Sequence, residues 1–531
     1  MGNLPQVSSS IEDVTEQETQ KTKDDVDGWD KDWSWGVDED PVSSRVESIT
    51  RSPSPNLPIK ESYMISASAA GKSLVLAYKT KFVMVKVNSE GEYSALGQGS
   101  GCQQPGELIT SVLCLSLFAP STRSTQNYIM CGYNTGWIRV FSDAGVLLTE
   151  QQLEISSVLT MKIRTPPPVF KVSPHKFVNE DEDITILFEN NKVVSIDGQS
   201  LWMVLRVCDG QRESGIDASR MHTAFNYKKW DLQHQGQVRD VVSLGPSPVH
   251  TESTETTATT TISTEVFPCQ VATSRYIGVG AQPMLTFYST SESTRPLMSA
   301  ASMASYVVSR VTTPVFSFAK SWWGGNSSSS NNNSNNNSGS NSPRPYVPDL
   351  PQPPSHIEPA TTIPAILSAS DSYRTINQIS LCPPSTSAQQ FRLAATSDAL
   401  GRVILWDVKE GEMIRMWKGV RDAVCGWIEV FERDIYPVES NRILQFLVIY
   451  SSKRGILKVF QMRHGKQIGV YHVGPGWQLV TCGHEPLGSS MVSMERRRGP
   501  NEEYGGLSQC LIVGPDGDVR RININLQKEH S

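Results

Sequence analysis

One unit recurs along this chain: an apolar strand, a turn closing on glycine, an alternating strand, a second turn and a third strand. A lone sheet of this kind cannot bury both faces, whereas several packed around an axis share their cores and leave only short edges. The clearest copy is Leu393 to Gly419, LAATSDALGRVILWDVKEGEMIRMWKG. Asp398 and Gly401 bracket the first turn, Val403, Leu405 and the Trp406-Asp407 pair form the middle strand, and Gly411 leads into Met413 to Trp417. Further copies are IMCGYNTGWIRVFSDAGVLLTEQQ around Gly136 and Gly145, FLVIYSSKRGILKVFQMRHGKQIGVYHV around Gly455 and Gly465, and CLIVGPDGDVRRIN around Gly517. Weaker ones, each with one turn residue replaced, begin at Leu74 (LVLAYKTKFVMVKV), Ile186 (ILFENNKVVSIDG) and Ile277 (IGVGAQPMLTFYS). The repeat predicts an all-β chain, a WD-repeat-like β-propeller of seven blades over residues 61–525. The stretches from Ile186 to Ile277 and from Ile277 to Leu393 are each long enough for an eighth blade.

Net charge is concentrated at one end. The first sixty residues hold thirteen acidic and six basic side chains, so the remainder of this chain of net charge −6 is close to neutral. A near-neutral body argues against nucleic acid as the main partner, which would favour a basic stripe. Nine cysteines stand at 102, 114, 131, 208, 269, 382, 425, 482 and 510 without a Cys-x-x-Cys pair, several inside apolar runs, and read as reduced core residues. No signal peptide or bilayer-length apolar run is recognisable, and Gly2 lacks the Ser or Thr at position 6 that myristoylation prefers, so a cytoplasmic location is expected.

Breaks in composition divide the chain. Residues 1–60 read as a disordered acidic tail. Within it, DGWDKDWSWGVDED sets Trp29, Trp33 and Trp35 among carboxylates. Two readings stand: a linear motif docking its indoles on a partner or on the propeller, with the acids steering towards basic surface, or a strand-like arm completing a blade. Residues 297–360 read as an insertion within the propeller, an amphipathic helix followed by a Ser/Asn/Pro-rich linker. In its first part Met303, Val307, Val311, Val315, Ala319 and Trp322 recur at helical spacing, with Pro314 placed to kink the helix. Val307, Val311, Val315, Phe318, Trp322 and Trp323 would form either a lipid-contacting face or a face packed on the rim or on a partner subunit.

Motifs of chemistry are incomplete. Gly71-Lys72-Ser73 ends like a phosphate-binding loop, but Ser66 stands where the first glycine belongs and a strand follows instead of a helix. Gly278-Val279-Gly280 is a fragment of a dinucleotide fingerprint, and the nine histidines show no metal-ligand spacing. No Gly-x-Ser-x-Gly elbow occurs. The expectation is no enzyme, no cofactor and no metal.

Several segments carry a more specific likeness. SDALGRVILWDVKEGEMIRMWKGVRDAVCGWI at 397–428, QFLVIYSSKRGILKVF at 445–460, TGWIRVFSDAGVLL at 135–148, VVSIDGQSLW at 193–202 and YKKWDLQ at 227–233 resemble the N-terminal domain of the regulatory, non-catalytic subunit of the Rab-3 GTPase-activating protein. The Asp-Gly-Trp motif at 27–29 and the run ending Ser321-Trp322-Trp323 occur there in the same order. The resemblance implies a partner more than a reaction: a catalytic subunit that accelerates GTP hydrolysis on Rab proteins, with links to Rab-18 nucleotide exchange, vesicle trafficking and autophagy, on endomembranes as a peripheral protein. Members of that family generally continue far beyond the propeller, whereas this sequence ends at Ser531. The alternative is a generic WD-repeat adaptor or a phosphoinositide-binding propeller.

GTPase activation commonly inserts an arginine beside the transferring phosphoryl group. Arg402, Arg415 and Arg421 lie near the most recognisable blade, Arg402 in a turn and Arg415 in an alternating strand, which suits structural roles. Lys418, Arg421, Asp422 and Trp427 follow in an interblade connection and its sequel, and are the expected protein-binding surface. For headgroup phosphates the candidates are Lys453-Arg454-Gly455 and Arg496-Arg497-Arg498-Gly499.

Overall fold

The computed structural model describes residues 46–48, 63–87, 93–119, 122, 124–165, 182–213, 225–246, 273–291, 357–383, 393–436, 440, 442–462, 465–489, 506–515 and 517–524. They build seven sheets, and the first strands of successive blades lie side by side in a closed ring. Blade 1 comprises Met64–Ala67, Ser73–Tyr78, Lys81–Val87 and Tyr93–Ser100. Blade 2 comprises Ile109–Ala119, Ser124–Tyr133, Trp137–Ser142 and Leu147–Gln152; blade 3 comprises Val158–Arg164, Asp183–Phe188, Lys192–Asp197 and Tyr227–Asp231, with Thr361–Thr362 pairing parallel as a short fifth strand. Blade 4 comprises Gln237–Pro246, Thr273–Ala281, Leu285–Ser291 and Ala365–Ala369. Blade 5 comprises Ile376–Leu381, Leu393–Asp398, Val403–Asp407 and Glu412–Trp417; blade 6 comprises Ala423–Phe431, Ile443–Ser451, Ile456–Gln461 and Lys466–His472. Blade 7 takes Gln478–Cys482, Gln509–Val513 and Val519–Ile522 from the end of the propeller sequence and Val46–Ser48 from its beginning. The stretches with room for an eighth blade are used otherwise: they hold the remaining strands of blades 3 and 4, the first strand of blade 5, and helix α1 (Gly198–Glu213).

The apolar core is partitioned into seven clusters, one at each interface between neighbouring blades. Strand alternation causes this, because successive side chains point to opposite faces and so serve opposite neighbours. In blade 6, Leu447 and Ile449 pack against blade 5, whereas Phe446, Val448 and Tyr450 pack against blade 7. In blade 5, Ala395, Val403 and Leu405 face blade 6, while Ala394, Ile404 and Trp406 face blade 4. Both faces are covered, so the central strands read as nearly continuous apolar runs such as FLVIY.

A shared backbone bond ties each of five blades to the chain that leaves it. The turn between second and third strands carries a residue in the left-handed region: Lys79, Gly136, Asn191, Gln282, Gly401, Gly455 and Gly517, with φ from 50° to 83°. In five blades the carbonyl of that residue accepts the N–H of the connection running to the next blade. The pairs are Lys79 with Ile109 (2.8 Å), Gly136 with Leu153 (3.2 Å), Asn191 with Leu232 (3.1 Å), Gly401 with Val420 (2.8 Å) and Gly455 with Val473 (2.8 Å). The replaced turn residues of the three weaker repeats, Lys79, Asn191 and Gln282, thus adopt the glycine conformation without being glycine. Asn191 does so with local support, because its amide donates to the Gln235 carbonyl (3.0 Å) and accepts the Val238 N–H (2.8 Å).

Buried charges fix two of the connections. Arg139, 1% exposed on the third strand of blade 2, pairs with Glu107 (2.9 Å) in the connection from blade 1 and with Glu150 (2.7 Å) on the fourth strand. Its guanidinium lies 4.4 Å from the centre of the Tyr133 ring, and Nη1 donates to the Gly101 carbonyl (3.2 Å). Burial alone would raise the Glu107 carboxyl. The Arg139 guanidinium, the Gln103 N–H and the Thr135 hydroxyl outweigh that and hold it below its usual value. Glu154, in the next connection, repeats the device with Lys229 (2.6 Å) and Lys192 (3.1 Å) of blade 3. Nearer the axis, Asp240 accepts Lys162 Nζ (2.6 Å) and the Ile379 N–H (2.9 Å), and Lys162 donates to the Ile379 carbonyl (2.8 Å), joining the inner strands of blades 3, 4 and 5.

Two features bind the ring beyond strand order. Val46, Glu47 and Ser48 pair antiparallel with Ile522, Arg521 and Arg520, so the expected disordered tail of residues 1–60 contributes the outer strand of blade 7. A three-stranded blade would leave that edge unpaired, and the N-terminal segment satisfies it. On the underside, residues 483–489 run from blade 7 across three blades. Gly483 N–H donates to Ala69 O (2.7 Å) in blade 1, Leu487 exchanges bonds with Ser116 and Phe118 (2.8 and 2.9 Å) in blade 2, and Gly488 N–H donates to Glu182 (2.8 Å) beside blade 3. Helix α1 packs on this strap. Asp197 caps it by accepting the Ser200 N–H (2.7 Å), and Trp202 donates to the Phe118 carbonyl (2.8 Å) while its ring lies against Gly488.

Two predictions follow from these ties. A Cβ at Gly136 would stand 1.9 Å from the Glu154 carbonyl oxygen at φ +75°. Gly136→Ala is therefore expected to cost about 2–4 kcal/mol in urea unfolding, against under about 1 kcal/mol for a surface alanine substitution. Arg139→Leu leaves Glu107 buried without its cation and is expected to cost about 3–5 kcal/mol at neutral pH. Because the Glu107 pKa is lower folded than its ordinary value of 4.5, its contribution is present above that value and is lost as pH falls below it. The urea midpoint of the wild type should fall more steeply below pH 4.5 than that of Glu107→Gln.

Candidate interaction face

The left-handed turns and the interblade connections share one face of the ring, here called the upper face. Over blades 5 and 6 four loops meet there through bonds to backbone carbonyls. Ala399 N–H donates to Thr375 O (2.9 Å), Val420 N–H to Gly401 O (2.8 Å), and Ser451 Oγ to Arg421 O (2.8 Å). Ser452 Oγ donates to Asp422 O (3.1 Å), so residues 371–375, 398–402, 418–422 and 451–455 form one surface. Gly401 is needed where it stands. Its φ is +77°, and an added Cβ would lie 2.8 Å from Arg421 Cγ. The Arg421 backbone and the root of its side chain pack over the turn, and the residue is exposed.

The residues expected on this surface separate into two groups. Lys418, Arg421 and Asp422 are exposed, Asp422 in the left-handed region at φ 50° with its carboxylate 3.6 Å from Lys453 Nζ. Trp427 does not join them. It is 2% exposed, faces blade 5 from the middle of the inner strand of blade 6, and donates to the Ser380 carbonyl (3.2 Å). Four residues of strand separate it from the exposed connection, so its indole is a core side chain and leaves the expected surface. Arg402 is half-buried in the turn that Asp398 closes by accepting its N–H (2.8 Å). Arg415 donates to the Gly465 carbonyl (2.8 Å) and lies over the Trp417 ring at 5.4 Å, bracing blade 5 against blade 6.

Lys453 and Arg454, which in the sequence stand apart from this group, are brought beside it by the second turn of blade 6. Two apolar members went unrecognised: Tyr373, 88% exposed, and Leu400, 50% exposed, on the loops next to Gly401. Each has a sequence signal, an aromatic in the Asp-Ser-Tyr-Arg connection and a leucine inside the Asp398–Gly401 turn, where solvent-facing polar residues are the rule. Trp29, Trp33 and Trp35, the segment with Val307, Val311, Val315, Phe318, Trp322 and Trp323, and Arg496 to Arg498 lie outside the described residues.

Other candidate chemistry resolves into structure. Gly71-Lys72-Ser73 closes the first hairpin of blade 1, with Gly71 N–H donating to Ser68 O (2.9 Å) and Ser73 N–H to Ser68 Oγ (3.0 Å). The thiols of Cys114, Cys425 and Cys482 are pushed up to about 12 by burial. Among the described residues no group of His, Cys, Asp and Glu is arranged to hold a metal, and no helix is long and apolar enough to cross a membrane.

Comparison with known proteins adds the ancestry. Residues 60–480 match the family model described as Rab3 GTPase-activating protein regulatory subunit N-terminus. The Caenorhabditis elegans Rab3 GTPase-activating protein regulatory subunit is 30% identical over 91 residues, which is 17% of this chain and 6% of that relative's length. Among solved structures, the crystal structure of Saccharomyces cerevisiae Sqt1 aligns with a TM-score of 0.39 at 10% identity, covering 88% of this chain and 85% of that one. The family model runs from the first strand of blade 1 through the first strand of blade 7, most of the chain, and the chain belongs to the family of the Rab3 GTPase-activating protein regulatory subunit N-terminus.

Proposed function

We propose that this chain is a non-catalytic scaffold subunit of a Rab GTPase regulator, a propeller that holds a catalytic subunit of the Rab-3 activating type and so serves a Rab protein on endomembranes, as a peripheral protein. The observation that carries this reading is the family match over nearly the whole propeller. The upper face supplies a place for the contact, with Lys418, Arg421 and Asp422 on rigid connections where side chains reach outward. Arg415 braces blade 5 against blade 6, which suits a structural role in a subunit that positions chemistry performed by its partner. Roles in vesicle trafficking, autophagy and Rab-18 nucleotide exchange belong to the same reading, as further outputs of one scaffold.

Co-expression with a Rab-3-type catalytic subunit, followed by size-exclusion chromatography, tests the proposal. The two chains are expected to co-elute, and Arg421→Glu to weaken the complex. Added alone to a GTP-loaded Rab, the chain should leave hydrolysis at the intrinsic rate, whereas the co-eluting complex should raise it by orders of magnitude. Separate elution, with unrelated proteins recovered instead, would favour a generic adaptor.

A further inference from the structure

The upper face of blades 5 and 6 has a chemistry that narrows what it can bind. Lys418, Arg421, Lys453 and Arg454 are exposed there. The exposed carboxylates among them already have cations, Asp422 with Lys453 (3.6 Å) and Asp371 with Arg374 (3.5 Å). Lys418, Arg421 and Arg454 have no carboxylate within ion-pair distance among the described residues. Between these cations and the neighbouring connection stand Tyr373 and Leu400, whose apolar surfaces are turned to solvent on loops held by the Ala399 to Thr375 and Val420 to Gly401 bonds. Arg374 adds rigidity by reaching from its connection to Asp398 (3.3 Å) at the base of the Leu400 turn.

We propose that this face docks an acidic peptide segment carrying an apolar anchor: Tyr373 and Leu400 receive the anchor, and Lys418, Arg421, Lys453 and Arg454 receive carboxylates on either side of it. The charge is complementary to an acidic ligand, and the apolar pair gives a register that charge alone does not. A flat anionic membrane would be attracted by the same cations, and its binding is the competing outcome that the vesicle probe distinguishes. The proposal rests on the reading of the upper face as the partner surface and names the chemistry of what it holds.

The test uses the full chain and three probes: a fluorescein-labelled glutamate-rich peptide with one central tryptophan, the same peptide with lysine for glutamate, and phosphatidylcholine vesicles containing phosphatidylserine. Fluorescence anisotropy is expected to show binding of the acidic peptide, weakened on raising salt, and no binding of the lysine peptide. Arg421→Glu and Arg454→Glu should each lower affinity by about tenfold, and Tyr373→Ala by a similar factor without changing the salt dependence. All three positions are exposed, so thermal unfolding of the variants should match the wild type and exclude misfolding. Peptide binding that is absent, or indifferent to all three substitutions, overturns the proposal; so does vesicle binding lost on charge reversal without any peptide binding, which would assign the cations to lipid. The same variants in the co-elution experiment separate the two levels. Loss of peptide binding with the catalytic subunit retained would support the acidic-peptide site while removing the heterodimer contact from this face.

Discussion

The ring leans on one backbone hydrogen bond repeated in five of its seven blades: the carbonyl of a left-handed turn residue accepts an N–H of the chain departing for the next blade. A propeller has no central core to which its parts refer. Each interface is its own apolar wedge, and the orientation of one blade on the next must be set locally. The turn bond sets it on the upper face, while the clusters between strands set the spacing. Where the bond would be weak or the connection long, buried charge is added. Glu107 and Glu154 both sit in such connections, and both reach cations that belong to the following blade. These pairs gain little over apolar packing in net stability, yet they are strongly destabilising to break, which makes them devices of geometry.

Much of this was legible in the residues. The seven strand groups follow from the strand and turn pattern, and the strongest copies, around Gly136, Gly401 and Gly455, fall where the tying bond is made. Fold-level reading succeeded because alternation and turn chemistry report on local backbone, which sequence encodes directly. The weaker copies also held, since Asn191 and Lys79 can occupy a conformation usually given to glycine when the surroundings pair their polar groups. Three things were not legible. Helix α1 interrupts a blade between its third and fourth strands, and its apolar residues Leu201, Leu205 and Cys208 serve the same cluster as the strands, so no separate apolar face marks it in the sequence. Val46–Ser48 is too short to have a pattern; only the unpaired edge of a distant strand explains it. The strap at 483–489 is held to three blades mainly through its backbone groups, which leave no trace in side-chain type; of its side chains Leu487 joins the cluster between blades 2 and 3.

The upper face over blades 5 and 6 was legible in part, and the division is physical. Lys418, Arg421 and Asp422 are exposed because a connection between glycine-bracketed strands runs over the surface. Trp427 lies a few residues beyond, where the chain has already entered an inner strand, and there alternation decides the direction of a side chain. The grouping of Lys453 and Arg454 with Arg421, and of Tyr373 with Leu400, depends on which turn lies beside which connection around the ring. That is a property of topology, and single segments do not contain it.

The underside strap makes blade 7 part of the ring independently of its outer strand. That strand is held by three residue pairs, Val46–Ser48 with Ile522–Arg520. The chain between the first two strands of the blade is bonded separately, to blades 1 and 2 and beside blade 3. Loss of the outer strand would therefore bare one sheet edge without releasing the bonds that join blade 7 to its neighbours.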